Sequence, residues 1–395
     1  MAQKIGIVDI DMLDNGTRHP NLVLMKIAGY LRDKNLSYEL IFNEGVNKDD
    51  YHAIYASKVF TFSNEPLFLQ KLEDQALPVV RGGTGYYADE ENLPLFNRLR
   101  GEDMVKLEND PNLPGFSLAS QMPDYTLYDS YISQKIAQGN KPSLYKDYQE
   151  FSIGFLTRGC IRKCPFCVNK NIDYVYDYSK LTDFVDMSRP KIYLWDDNFL
   201  AAKNWKSLLR SLQETNKPFQ FRQGLDIRLI TPEKAEMLAK SRYYGDYMFA
   251  FDLIKDKSLI ERKLAIWRKH STKSTKLYLF CGYELTDDHS LITDILNLFV
   301  RIEVLMRYKC LGYVMRHQNY KNHPLSNIYV QVARWCNQPQ FYKKLSFREF
   351  ILRNQYWKKT NNKCVALRTY EQFFDYFKDY RGELTYYFNM KYEDF

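Results

Sequence analysis

Three thiols stand within eight residues at Cys160, Cys164 and Cys167, in the stretch Leu156-Thr157-Arg158-Gly159-Cys160-Ile161-Arg162-Lys163-Cys164-Pro165-Phe166-Cys167. Thiolates at such spacing suit zinc or iron–sulfur ligation. A structural zinc site wants a fourth ligand close by. Yet the next cysteine is Cys281, and no histidine lies between Cys167 and His270. Three ligands with the fourth position open fit an iron–sulfur cube that keeps one iron available for another molecule. Three unrelated buried cysteines would fit poorly with this density, because only Cys281, Cys310, Cys336 and Cys364 occur elsewhere. Those four form no Cys-x2-Cys pair, so an auxiliary cluster has no support.

The elements that must position these thiols are readable from apolar runs. The triplet directly follows a predicted strand at 151–157. Further strands are expected at 191–195, 219–222, 247–252, 276–281 and 311–316, with helices at 205–214, 232–241 and 290–308 between them. Six strand–helix units over this length suit a partial or full barrel, and a second open sheet is the alternative. Ahead of them, predicted strands at 4–10, 38–42, 53–60 and 78–80 alternate with helices at 22–34 and 66–75. That rhythm predicts a parallel, doubly wound sheet. Prolines and glycines mark 109–150 as a connector. The expected fold is therefore α/β: a Rossmann-like sheet over 1–108, the connector 109–150, a barrel over 151–325 and a helical cap over 326–395.

The whole chain has 395 residues, 45% of them hydrophobic and 26% charged, which is a globular composition with room for two or three domains. Mean hydropathy is −0.49. No run of ~18 apolar residues offers a membrane span. The first ten residues lack the pattern of a secretory signal, and seven cysteines are too few for a disulfide framework. The expected setting is reducing and cytoplasmic.

The Cys-x3-Cys-x2-Cys spacing, with an aromatic before the last cysteine and Arg-Gly before the first, resembles the radical S-adenosylmethionine superfamily. The resemblance implies that Cys160, Cys164 and Cys167 bind a 4Fe-4S cluster whose open iron chelates S-adenosylmethionine. It also implies reductive cleavage to methionine and a 5′-deoxyadenosyl radical, with flavodoxin or ferredoxin as electron donor. Within that superfamily the chain is similar to the subgroup with a cobalamin-binding-like domain before a TIM-barrel-like core. The residues that carry this likeness are 19–40, Val79-Val80-Arg81-Gly82-Gly83 and Leu194-Trp195-Asp196-Asp197-Asn198-Phe199. The subgroup's Asp-x-His-x-x-Gly after the first strand is replaced by Asp9-Ile10-Asp11-Met12. Cobalamin is thus left open without a histidine ligand and not expected through one, and His52 reads as a surface residue. The subgroup's Gly-x-Glu-Ser is replaced by Phe249-Ala250-Phe251-Asp252.

Phe166, the aromatic of the motif, joins the cofactor-binding candidates by the same resemblance. Strand C-termini face the active site of a barrel, which adds polar candidates. Asp196, Asp197 and Asn198 end the second barrel strand, and by resemblance meet the amino group of S-adenosylmethionine. Asp197 or Asn198 could equally cap a helix over 199–214. Arg222 and Arg316 end the third and sixth strands and suit a carboxylate or ribose. Asp252 stands where the subgroup has its glutamate.

Charge is divided unevenly. Residues 1–150 hold 15 Lys and Arg against 22 Asp and Glu, and the remainder 41 against 26. Residues 301–395 hold 17 against 8, with aromatics interleaved at 334–339 and 341–344. Such segments either bind nucleic acid or pack a helical cap with lysines outward, and aromatic stripes at helical spacing favour packing. The leading function is a radical S-adenosylmethionine enzyme acting on a small or nucleotide-like substrate. Modification of RNA or other nucleic acid, cobalamin-dependent methyl transfer and a non-catalytic metal-stabilised module are the alternatives.

Overall fold

The computed structural model describes residues 4–16, 19–43, 45–87, 107–167, 169 and 172–395. Mixed α/β architecture with parallel sheets runs through it, in two compact units, Met1–Phe219 and Gln220–Phe395.

In the first unit β1 (Lys4–Asp9), β2 (Tyr38–Leu40), β3 (Tyr51–Ser57) and β4 (Val79–Gly82) form a parallel sheet in the order β2-β1-β3-β4. Period-two alternation divides its side chains between two cores. Ile5, Ile7, Ala53 and Tyr55 pack beneath helix Leu22–Asp33, whose Leu24, Ile27, Ala28 and Leu31 lie on one face. Val8, Ile54 and Ala56 pack against Leu69 and Leu72 of helix Leu67–Asp74. Coverage on both faces explains why β1 and β3 read as continuous apolar runs. The expected strand at 53–60 begins at Tyr51 and ends at Ser57. It ends there because the N–H groups of Val59 and Phe60 donate to the Asp11 carboxylate, at 2.6 and 3.3 Å, instead of to a neighbouring strand.

Residues 109–150 belong to the core of this unit. Leu113, Phe116, Tyr125, Tyr128, Tyr131 and Tyr148 are buried in the layer of helix Leu22–Asp33. The approach is close: a Cβ on Gly29 would lie 2.0 Å from the Met122 carbonyl oxygen. Glycine in mid-helix costs ~1 kcal/mol relative to alanine, and here only glycine fits.

The same unit continues into β5 (Phe151–Gly154), β6 (Thr157–Arg158), β7 (Tyr176–Asp177) and β8 (Lys191–Leu194). β5 and β8 pair in parallel with Gly154 opposite Leu194, and β9 (Phe219–Phe221), inside which the two units divide, follows in the order β5-β8-β9. β6 and β7 form a two-residue antiparallel ladder. The expected 199–214 helix is a 3-10 turn, Phe199–Ala201, followed by helix Trp205–Glu214.

In the second unit β10 (Tyr247–Ala250), β11 (Thr275–Cys281) and β12 (Leu311–Arg316) are parallel in that order, and Leu225 bridges in parallel to Phe249. One face is fully buried through Tyr247, Phe249, Leu277, Leu279 and Val314. Trp267 of helix Lys257–His270 packs edge-on to Tyr247 and Phe249, at 4.7 and 5.3 Å between centroids, and its indole N–H donates to Thr275 Oγ1. On the other face Met248, Tyr278 and Phe280 are half-buried, and Tyr313 and Met315 are exposed.

The C-terminal segment is helical and packs as the aromatic-stripe reading requires. Trp335, Tyr342, Phe347 and Phe388 are buried, and Phe299 of helix Asp288–Arg307 lies 5.0 Å from Phe388 and 5.6 Å from Phe347. Among the described residues no helix is long and apolar enough to cross a membrane.

Candidate functional site

The loop that carries the three thiols is shaped by the ends of β5 and β8. The expected strand at 151–157 stops at Gly154, where the ladder closes with Trp195 N–H donating to the Gly154 carbonyl at 3.0 Å. Beyond it the Asp196 side chain replaces a neighbouring strand. Its Oδ2 accepts from Leu156 N–H at 3.2 Å, and its Oδ1 from both the N–H and the hydroxyl of Thr157 at 2.6 Å. Burial raises the Asp196 carboxyl to about 6 despite these bonds, because desolvation of the charged form exceeds what the donors return.

Asp197 holds the next stretch. It accepts from Gly159 N–H at 2.9 Å and from the Asn169 side-chain amide at 2.8 Å, with the Arg158 guanidinium 3.6 Å away. That guanidinium lies 4.2 Å from the Phe155 ring centroid. Gly159 has φ +90°, and a Cβ there would lie 2.2 Å from the Tyr174 carbonyl oxygen. The loop therefore turns into Cys160 with no space for a side chain. Asp197 is thus committed to the loop. Asn198 precedes the 3-10 turn without a side-chain cap, and its amide stands 3.4 Å from the Cys160 sulfur.

Cys160, Cys164, Cys167 and Phe166 are partly exposed on this loop. Arg162 N–H donates to the Cys160 sulfur and Asn169 N–H to the Cys167 sulfur, both at 3.3 Å, and Cys167 N–H donates to the Cys164 carbonyl. Donors aimed at sulfur stabilise thiolate character and tune clusters held by thiolates. By donor chemistry these residues fit a cluster with three protein ligands. Among the described residues no group of three or more His, Cys, Asp and Glu side chains stands ready to hold a metal ion.

The remaining candidates lie in the second unit. Asp252 follows β10, and burial raises its carboxyl to about 6 with Arg301 opposing. Arg222 follows β9, with Nη1 3.4 Å from Gln220 Oε1. Arg316 ends β12, exposed, its guanidinium over the Tyr320 ring and 3.2 Å from the Tyr320 hydroxyl. Arg301 escaped the sequence reading. It is fully buried, and its Nη1 donates to the carbonyls of Phe251, Asp252 and Phe280 at 2.9–3.0 Å, tying together the C-terminal ends of β10 and β11. Its one signal is a cation inside the apolar stripe Leu298-Phe299-Arg301-Ile302-Leu305. Asn169 had no signal at all.

The first sheet reverses strand order between β1 and β3, the place where a parallel sheet usually receives a ligand. Here the chain fills it. Tyr128 donates to buried Asp9 at 2.7 Å and accepts from Asn21 N–H at 3.0 Å, and the Asn21 amide donates to Ser57. Burial raises the Asp9 carboxyl to about 7. His52 is exposed beside Asn112, and His19 pairs with Asp147. Both histidines are thus engaged by other side chains, and neither fits a histidine ligand to cobalamin.

No protein-family model matches the chain, and neither does any curated protein. Solved structures to which it is similar include three of SuiB from Streptococcus suis. One aligns at 11% identity and TM-score 0.30 over 49% of this chain and 55% of that one. A second, bound to the precursor peptide SuiA, aligns at 11% and 0.32 over 63% and 66%. A third, bound to S-adenosylmethionine, aligns at 13% and 0.31 over 60% and 70%. The chain thus spans little more than half the length of the first of these, and likeness at this level carries no weight for function.

Proposed function

We propose that this chain is a radical S-adenosylmethionine enzyme in which Cys160, Cys164 and Cys167 hold a 4Fe-4S cluster. The observation that supports it is the cysteine loop clamped by two adjacent strand-end carboxylates, with backbone N–H groups directed at two of its sulfurs. When bound, the cluster supplies the electron for reductive cleavage of S-adenosylmethionine to methionine and a 5′-deoxyadenosyl radical. The chain's own residues bind and orient. Asp196 fixes where the loop leaves β5, Asp197 fixes the turn into Cys160, and the Asn198 amide is directed at the Cys160 sulfur. Phe166, Asn198 and the strand-end groups of Asp196 and Asp197 are the residues assigned to S-adenosylmethionine. Arg222, Asp252 and Arg316 are further candidates for its carboxylate and ribose.

In this reading β5 and β8–β12 are the six strands of a partial barrel, and the first sheet is a Rossmann-like domain without a histidine-ligated cobalamin. The domain limits of this reading are 108, 150 and 325, with residues 109–150 packed into the core of the first domain. Half-buried Tyr278 and Phe280 with exposed Tyr313 and Met315 offer an apolar, aromatic face to a small or nucleotide-like substrate. A flavodoxin or ferredoxin would donate the electron, in the cytoplasm.

Anaerobic reconstitution with iron and sulfide tests the proposal. The expected result is about four iron and four sulfide per chain, and 5′-deoxyadenosine when S-adenosylmethionine and reductant are added. Stoichiometric zinc, with no iron–sulfur absorption after reconstitution, would overturn it.

A further inference from the structure

Between helix Phe347–Leu352 and helix Val365–Tyr376 the chain makes a tight antiparallel turn. Tyr356 bridges to Lys363, and Trp357 N–H donates to the Asn362 carbonyl at 2.8 Å. The N–H groups of Thr360 and Asn361 donate to the Trp357 carbonyl, and Cys364 N–H donates to the Gln355 carbonyl. Asn361 supplies φ +53°, a left-handed conformation that asparagine tolerates. Backbone bonds thus set the shape of this turn before any partner arrives.

What the turn displays is unusual. Residues 353–363 are all exposed, with Tyr356 at 49% and Trp357 at 57%. The segment carries Arg353, Lys358, Lys359 and Lys363 and no acidic residue. Two of those cations are already engaged. Arg353 lies over the Phe341 and Phe350 rings, at 4.1 and 4.3 Å, and Lys363 donates to both oxygens of Glu371 at 2.7 Å. Lys358 and Lys359, which follow Trp357 directly in the chain, stand exposed.

We propose that this turn binds single-stranded nucleic acid, with bases stacking on Tyr356 and Trp357 and phosphates meeting Lys358 and Lys359. Every base has a π-face for an aromatic platform, and lysines neutralise the backbone. The amides of Asn354, Gln355, Asn361 and Asn362 add donors and acceptors for base edges. Residues 353–363 contain no aliphatic side chain, whereas membrane-inserting segments combine tryptophan with leucine or phenylalanine. Exposure separates this turn from the basic aromatic stretch at 334–344, whose Trp335 and Tyr342 are fully buried.

The test needs neither metal nor S-adenosylmethionine, so it can fail or succeed independently of the iron–sulfur reading. Fluorescence anisotropy of the full chain with labelled oligouridine and oligodeoxyuridine of roughly 12 nucleotides is followed across a salt series. Trp357→Ala should weaken binding ~10-fold at every salt concentration, with the salt slope unchanged. Lys358→Gln combined with Lys359→Gln should instead reduce the slope of log affinity against log salt by ~1.4, for two phosphates on a single strand. Preference for oligouridine would assign the site to RNA, and preference for the deoxy strand to single-stranded DNA. Unchanged affinity in Trp357→Ala, or equal affinity for a duplex, would overturn the proposal. So would Trp357-dependent sedimentation with phosphatidylcholine–phosphatidylserine vesicles in the absence of oligonucleotide binding.

Discussion

Replacing Gly159 with alanine should displace the cysteine loop, and a matched substitution shows how much of the effect is steric. The glycine has φ +90°, and the new Cβ would lie 2.2 Å from the Tyr174 carbonyl oxygen and 2.8 Å from Ile172 Cγ2. A backbone carbonyl cannot rotate away as a flexible side chain does. Tyr174 leads directly into β7, so relief would pull on the ladder that pairs Thr157 with Asp177 and Arg158 with Tyr176. It would also pull on the Gly159–Asp197 hydrogen bond. Gly139 has nearly the same φ, +95°, and a Cβ there would meet nothing within 4 Å. Gly139→Ala therefore incurs only the conformational cost, ~1–2 kcal/mol. Gly159→Ala adds an overpacking cost of ~1–3 kcal/mol. Urea unfolding of the two variants measures the difference. Because the loop can open locally and hide part of its cost from global unfolding, iron content after anaerobic reconstitution is the second readout. Gly159→Ala should fall well below wild type in iron, and Gly139→Ala should match it. Wild-type iron in Gly159→Ala would refute the argument that this close contact sets the loop.

Cys164→Ala should lose reconstituted iron and 5′-deoxyadenosine formation while far-ultraviolet circular dichroism stays that of wild type. Asp9 holds its proton more tightly in the fold, at about 7 against an ordinary 3.8, so its contribution to stability is full below pH ~4 and lost as pH rises through ~7. Asp9→Asn should therefore gain on wild type in urea melts at pH ~8, by at most about 4 kcal/mol, and the gap should narrow at pH ~5; a gap independent of pH would exclude the buried charge as its cause. Arg301→Met strands the carbonyls of Phe251, Asp252 and Phe280, and should cost ~3 kcal/mol in the same melts. Arg316→Ala, at an exposed position, should change stability by under ~1 kcal/mol. In equilibrium dialysis it should weaken S-adenosylmethionine binding by more than ~10-fold, and an unchanged affinity would leave Arg316 as a partner of Tyr320 alone.

The strands of the first sheet were legible because burial on both faces leaves continuous apolar runs such as Ile5–Val8, which need no knowledge of neighbours. The cysteine loop was legible because its three thiols are close in the chain itself. Strand ends were not. β3 stops at Ser57 and β5 at Gly154 because Asp11 and Asp196 accept the N–H groups that follow, from partners 48 and 40 residues away. Residues 109–150 read as a connector because proline and glycine mark them, yet their tyrosines complete the first core, and Tyr128 meets Asp9 across 119 positions. Arg301 shows the same limit from inside a helix: three of its four carbonyl acceptors lie 21 to 50 residues away, and only Asn297 is one turn back. Periodicity and motif spacing are local, so the sequence alone determined the strand–helix order and the thiol set. A buried carboxylate or guanidinium must find its partners wherever packing brings them, because leaving it unpaired costs too much. Only the tertiary structure decided which groups clamp the loop, brace the strand ends and close the crevice of the first sheet.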